Sequence, residues 1–274
     1  MVLLGAFLSG CAARYIERAD AQIAQVPVIN GAVPQEAGSA VFVGAHANRS
    51  NTHSLRTTTR NRQPYNYGVT WNPTSMGFNF GARINASDGN PGKVSLIDLF
   101  AYFDGDPRRF AKNNAELIGA GVTTSYQDFR IRLATGIGRH QYDIKTILVN
   151  DPSSELRSQN CEITIDTSAG NRASPLFVWS ATIWPSPYEK GSFAFAPYIG
   201  LQYGLQLISG QSATYGGSLL LRNPIFTVGI RSDWSSTAIV AEVHGKGIYN
   251  AHGGTSVSTA EIRLEQSLRI HKKR

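Results

Sequence analysis

The sequence predicts an all-β protein, an antiparallel up-and-down β-barrel, and three observations carry that expectation. Long runs alternate apolar and polar residues with period two, turn-forming residues punctuate them, and many runs reach about ten residues. A helix would scatter such residues around its circumference, whereas a strand sorts them onto two faces. Composition agrees: of 274 residues only 16% are charged, against 27 Gly, 12 Phe, 11 Tyr and 4 Trp. A helical bundle would draw more heavily on Leu, Ala, Glu and Lys.

Taken in order, the chain opens on a short apolar run, residues 2–8, followed by small residues and a lone cysteine. Too short to span a bilayer, the run reads as the hydrophobic end of an export signal. Leu8-Ser9-Gly10-Cys11 resembles the bacterial lipobox. That resemblance implies removal of residues 1–10 as a signal peptide and acylation of Cys11 with diacylglycerol and an N-acyl chain. Several acyl chains together anchor firmly, where one gives only marginal binding. No Lys or Arg precedes the apolar run, so the signal peptide is expected to be truncated at its N-terminus. Ala12, in place of Asp, favours the outer membrane in the sorting pattern of that family. No cofactor is expected beyond these covalent lipids. The one other cysteine, Cys161, then has no partner and reads as a small buried apolar residue.

Residues 11–38 read as a lipidated tether. Residues 14–23 could form two or three helical turns, and Pro27, Gly31, Pro34 and Gly38 then break regular structure. Residues 39–270 read as the barrel, with 271–274 a basic tail. In residues 76–84, Met76, Phe78, Phe80, Ala82 and Ile84 share one face, while Gly77, Asn79, Gly81 and Arg83 share the other. In residues 129–137, Phe129, Ile131, Leu133 and Ile137 oppose Arg130, Arg132, Ala134 and Gly136. The longest run, residues 193–207, sets Ile199, Leu201 and Leu205 against Gly200, Gln202, Gly204 and Gln206. In residues 258–270, Ile262, Leu264 and Leu268 oppose Glu261, Arg263, Glu265 and Arg269. That charged face is either plain surface or the wall of a wet lumen. About ten to thirteen strands are expected, with twelve the central value.

Strands near the 9–11 residues a tilted membrane crossing needs, with aromatic residues near their ends, resemble the strands of outer-membrane β-barrel proteins. The resemblance spans residues 39–270 and implies a Gram-negative outer-membrane location, lipid-anchored, with outer-membrane lipid as partner and lipopolysaccharide or another envelope protein as further candidates. The polar stretches 46–64 and 150–159 would be outer loops. The chain departs from that family's aromatic C-terminus by ending Arg-Ile-His-Lys-Lys-Arg.

The formal charge of +7 is spread along the chain without an aromatic-basic module, so no nucleic-acid partner is expected. Arg49, Arg56, Arg60 and Arg62 form one basic cluster, either an anion-contacting loop suited to bidentate phosphate contacts or a solvated loop. No nucleophile elbow, phosphate loop or paired-His metal spacing occurs, so neither a metal nor an enzymatic activity is expected. Arg130, Arg132, Gln202, Gln206, Glu242, His244, Glu261 and Arg263 are expected to face the lumen. The leading functional reading is a structural or pore-forming, porin-like lipoprotein, its small inward residues such as Gly200 and Gly204 leaving space for water or solute. A lipid-tethered soluble barrel that binds a hydrophobic ligand or an envelope partner is the alternative. A barrel-type lipid hydrolase built on Glu242, His244 and the nearby Ser235 and Ser236 is the third.

Overall fold

The computed structural model describes residues 14–33, 39–50, 54–59, 65–86, 93–150, 165–186, 188–190, 193–209, 218–250 and 253–269. Among them the strands are β1 (Arg14–Ile23), β2 (Ala40–Ser50), β3 (Ser54–Thr59), β4 (Tyr65–Trp71), β5 (Thr74–Asn85), β6 (Val94–Gly105) and β7 (Asn114–Ser125). There follow β8 (Phe129–Asn150), β9 (Ile165–Pro185), β10 (Tyr188–Lys190), β11 (Phe193–Ser209), β12 (Ser218–Trp234), β13 (Thr237–Asn250) and β14 (Gly253–Arg269).

Ten of these, β2, β5–β9 and β11–β14, close into one antiparallel barrel. The seam is β14 on β2, in register from Thr259↔Ser50 to Arg269↔Ala40. Closure removes the open edges that a flat sheet of this size would expose. The all-β antiparallel barrel expected from the sequence is therefore present. Its ring holds ten strands because β1, β3, β4 and β10 pair outside it.

One end of the barrel carries tight connections, such as Tyr126–Asp128 before β8 and Ser235-Ser236 between β12 and β13. At the other end β8 and β9 run on past their neighbours, paired to Val149↔Ile165. There β1 lies antiparallel on β8, from Ile23↔Tyr142 up to Arg14↔Asn150, and β4 lies parallel on β1. The helical turns expected for residues 14–23 are thus replaced by a strand. The open edge of β8 offers backbone pairing that local helix propensity, a weak bias, does not outweigh. The polar stretch 46–64 is likewise not one loop, since residues 46–50 complete β2 and 54–59 form β3. Its polarity in β2 reflects an inward face carrying His46 and Asn48, both buried.

Within the ring the two faces are inverted relative to a water-soluble barrel. Ile118, Leu133, Ile137, Leu201, Val243, Ile262 and Leu268 all point outward and are more than half exposed. Arg83, Asp98, Arg132, Arg231, Glu242, Arg263 and Glu265 all point inward and are buried. On β8 this order reverses at a definite height. Outward residues run Phe129, Ile131, Leu133, Thr135, Ile137 and then Arg139, Gln141, Asp143. Above that height the buried side is apolar, with Tyr142 and Ile144 packed in a cluster with Ile23, Trp71, Ile208 and Leu221. The apolar belt on β8 therefore spans eight residue steps, ~20 Å measured along a tilted barrel axis. Aromatic pairs mark its lower rim: Tyr126 stacks on Phe129 at 4.8 Å and Phe193 leans on Trp234 at 5.5 Å.

Candidate functional site, a lumen filled by the N-terminal segment

Residues 24–33, Ala-Gln-Val-Pro-Val-Ile-Asn-Gly-Ala-Val, run through the barrel from the long-loop end to the short-turn end, and every one of them is buried. Over this stretch the segment read as a tether is the filling of the lumen. Its apolar side chains pack against the wall at two levels. Val26, Val28 and Ile29 meet Phe100, Leu117, Leu176 and Val178, while Ala32 and Val33 meet Leu96, Trp184 and Val240. The small inward residues expected to leave solvent space face this segment instead. A Cβ at Gly200 would lie 2.7 Å from the carbonyl oxygen of Asn30, and one at Gly204 would lie 3.2 Å from Val26 Cγ1.

An irregular backbone inside a barrel must find partners for its polar groups. Gln202 supplies two. Its Nε2 donates to Pro27 O at 2.8 Å and its Oε1 accepts from Ile29 N at 2.8 Å, as a neighbouring strand would. Arg132 donates to Ile29 O and is held by Asp98, Nε to Oδ1 at 3.0 Å. Gln25 Oε1 accepts from Lys246 Nζ at 2.7 Å, and Asn30 Oδ1 accepts from Thr227 Oγ1 at 3.1 Å.

All eight residues expected at the lumen are buried on the inward face: Arg130, Arg132, Gln202, Gln206, Glu242, His244, Glu261 and Arg263. The structure gathers four of them with two tyrosines. Arg263 Nη2 donates to Glu242 Oε2 at 3.1 Å and to Glu261 Oε1 at 3.0 Å, and its Nη1 donates to Tyr102 at 3.3 Å. Tyr198 donates to the other oxygen of Glu242. His244 Nε2 stands 3.6 Å from Glu242 Oε2 and 3.5 Å from Glu261 Oε2, three donor atoms of the kind that hold a metal ion. A second network near the short-turn end joins Arg83 and Arg231 to Glu265, and Arg231 to Asp233. Arg83 and Glu265 stood on polar strand faces in the sequence, yet nothing there paired them.

Ser235 and Ser236 are not beside His244. They lie at the short-turn end, and seven residue steps of β13 lead from Thr237 to His244, ~23 Å along a strand. The hydroxyl at His244 is that of Thr227, 2.8 Å from Nδ1. Of the basic cluster, Arg49 sits exposed on the outward face of β2 and Arg56 lies in β3. Arg60, Arg62, Cys11 and Cys161 lie outside the described residues, as does nearly all of the stretch 150–159.

Above the belt, His140 is buried with its ring stacked on Tyr142 at 5.0 Å, and its Nε2 donates to Leu207 O at 3.0 Å. Burial pushes this imidazole down to about 4, against a smaller upward pull from the Leu207 carbonyl. The unfolded chain takes up the proton near 6.5, so the unfolded state binds more protons between pH 6.5 and 4. Stability is therefore full above pH 6.5 and falls by up to ~3 kcal/mol as pH drops towards 4. Urea midpoints of the detergent-folded protein at pH 7.5 and 4.5 should differ accordingly. The difference should shrink in His140→Asn.

No protein family matches the sequence, and no curated protein does. Solved barrels are similar in architecture. The outer membrane protease OmpT of Escherichia coli has TM-score 0.36 and 8% identity over 84% of this chain and 96% of that one. The beta domain of the Bordetella autotransporter BrkA has TM-score 0.37 and 8% identity over 84% and 100%. The CymD monoaromatic hydrocarbon channel has TM-score 0.28 and 11% identity over 86% and 90%. Such values carry no argument about activity. The names include a protease as well as a channel, so they lend no support to the expectation that this protein is not an enzyme.

Proposed function

We propose that the protein is a Gram-negative outer-membrane β-barrel, embedded by its apolar exterior and closed by its own N-terminal segment. Its standing role is structural, and it conducts only when residues 24–33 leave the lumen. The inversion on β8 between Ile137 and Arg139 carries this reading, because it is where the outside changes from apolar to polar and the inside changes oppositely. Among the described residues thirty large apolar or aromatic side chains stand exposed. At about 1 kcal/mol for each half-exposed side chain, water would penalise that surface by tens of kcal/mol. A folded domain has a margin of only about 5–15 kcal/mol. Lipid removes the penalty, and the belt has nearly the height of the ~25 Å band of such barrels.

The alternative, a tethered barrel in water with a hydrophobic ligand inside, fits less well because the interior is already filled. Acylation of Cys11 remains part of the proposal, with outer-membrane lipid as the partner. Since β1 leads up the β8–β9 extension and away from the belt, the hold on lipid does not depend on that anchor. The Cys11→Ser protein is expected to need detergent as wild type does. A monodisperse Cys11→Ser protein in plain buffer would overturn the embedded reading.

A further inference from the structure

The geometry points to a divalent cation of the zinc class held inside the barrel by Glu242, His244 and Glu261. Glu242 and His244 alternate on the inward face of β13, and Glu261 is the direct partner of Glu242 on β14. The three side chains are buried, with His244 and Glu242 fully so. Their donor atoms all lie within 4.8 Å of one another.

The separations decide between a direct contact and a bridged one. A charge-assisted hydrogen bond from the ring to a carboxylate would be about 2.7–2.9 Å. His244 Nε2 instead stands 3.6 and 3.5 Å from the two Oε2 atoms and has no hydrogen-bond partner. Ligands at 2.0–2.2 Å around tetrahedral zinc are spaced ~3.4 Å apart. The two ring-to-carboxylate distances, 3.6 and 3.5 Å, are close to such an edge, and the carboxylate oxygens lie within 4.8 Å of each other.

The tautomer points the same way. The Thr227 hydroxyl donates to Asn30 Oδ1 at 3.1 Å, which leaves its oxygen able to accept from His244 Nδ1 at 2.8 Å. In the tautomer with its proton on Nδ1, the ring turns its Nε2 lone pair towards two carboxylates. That arrangement is repulsive unless a cation stands between them. A metal-binding histidine characteristically donates its other ring N–H to a fixed acceptor, and Thr227 fills that place. Arg263 orients both carboxylates, taking Oε1 of Glu261 and sharing Oε2 of Glu242, and leaves Oε2 of Glu261 turned to the ring. The bound ion would stand two hydrogen-bonded steps from Asn30, within the lumen filling. The site does not depend on whether that filling can leave.

The competing occupant is a proton on Nε2, which would make an imidazolium. To separate them, the full chain is refolded into detergent from metal-free urea with cobalt(II), and folding is checked by heat-dependent gel mobility. About one cobalt per chain with the strong visible bands of tetrahedral coordination is expected, displaced by zinc. His244→Ala and Glu261→Gln should lose the bands, and His46→Ala should keep them. Thr227→Val should weaken cobalt binding by roughly 10–100-fold. A folded wild-type barrel without the bands, or bands that persist in His244→Ala, overturns the site. Should a ligand variant not fold, the wild-type spectrum and its comparison with Thr227→Val and His46→Ala still decide.

Discussion

Asp98→Ala is expected to lose the folded barrel under conditions where wild type holds it, at a cost of about 3–5 kcal/mol. Asp98 and Arg132 are 2% and 4% exposed, on the inward faces of β6 and β8. Arg132 meets Asp98 through both Nε and Nη2, and a third nitrogen reaches Ile29 O. Removing the carboxylate leaves a guanidinium in the interior with the face of Phe100, 5.3 Å away, and one carbonyl for company. Urea titration followed by heat-dependent gel mobility reads the effect, and a midpoint within error of wild type would refute it. The double variant Asp98→Leu/Arg132→Met should regain most of the loss, because neither charge is then buried alone. That recovery separates an uncompensated charge from mere loss of volume. It also removes the donor to Ile29 O, so any conductance it gains reports on the lumen filling.

The barrel was legible because a different surrounding acts on each face of every strand. In β5, Phe78 and Phe80 point out while Asn79 points in, and period two follows from the pleat alone. The same logic put Gln202, Glu242, Glu261 and Arg263 on the inner wall. It could not say what they touch there. Strand pairing is local in a meander, but the contacts of the lumen filling span 173 residues from Ile29 to Gln202 and 221 from Gln25 to Lys246. Residues 24–33 did carry a signal: they hold no charge and six apolar side chains, too greasy for a solvated tether. The extension of β8 was hidden for a different reason. Past Ile137 the apolar and polar faces exchange, so a reader who follows one face loses the strand where it leaves the belt.

If residues 24–33 close the lumen, a side chain grown from the wall should open it, and Gly200→Leu is expected to turn a silent barrel into a conducting one. Gly200 is inward on β11, and its new Cβ would meet the Asn30 backbone oxygen at 2.7 Å, closer than real contacts allow. The wall at that point is tied on both sides, by Thr182 of β9 and Thr227 of β12, and the filling is the less constrained partner. Gln202→Ala acts on the same equilibrium from the other direction. It strips Pro27 O of its donor and Ile29 N of its acceptor, a loss of about 1–3 kcal/mol that raises the displaced population roughly 5–150-fold. Gly245→Leu serves as the control, because nothing lies within 4 Å of its Cβ and it stands exposed on the outward face. Planar-bilayer recordings should show wild type and Gly245→Leu silent, Gln202→Ala with brief openings and Gly200→Leu with sustained ones. The lumen would count as permanently sealed if Gly200→Leu inserted, remained heat-modifiable and stayed silent. Sustained current through wild type would show that residues 24–33 do not close the lumen at all.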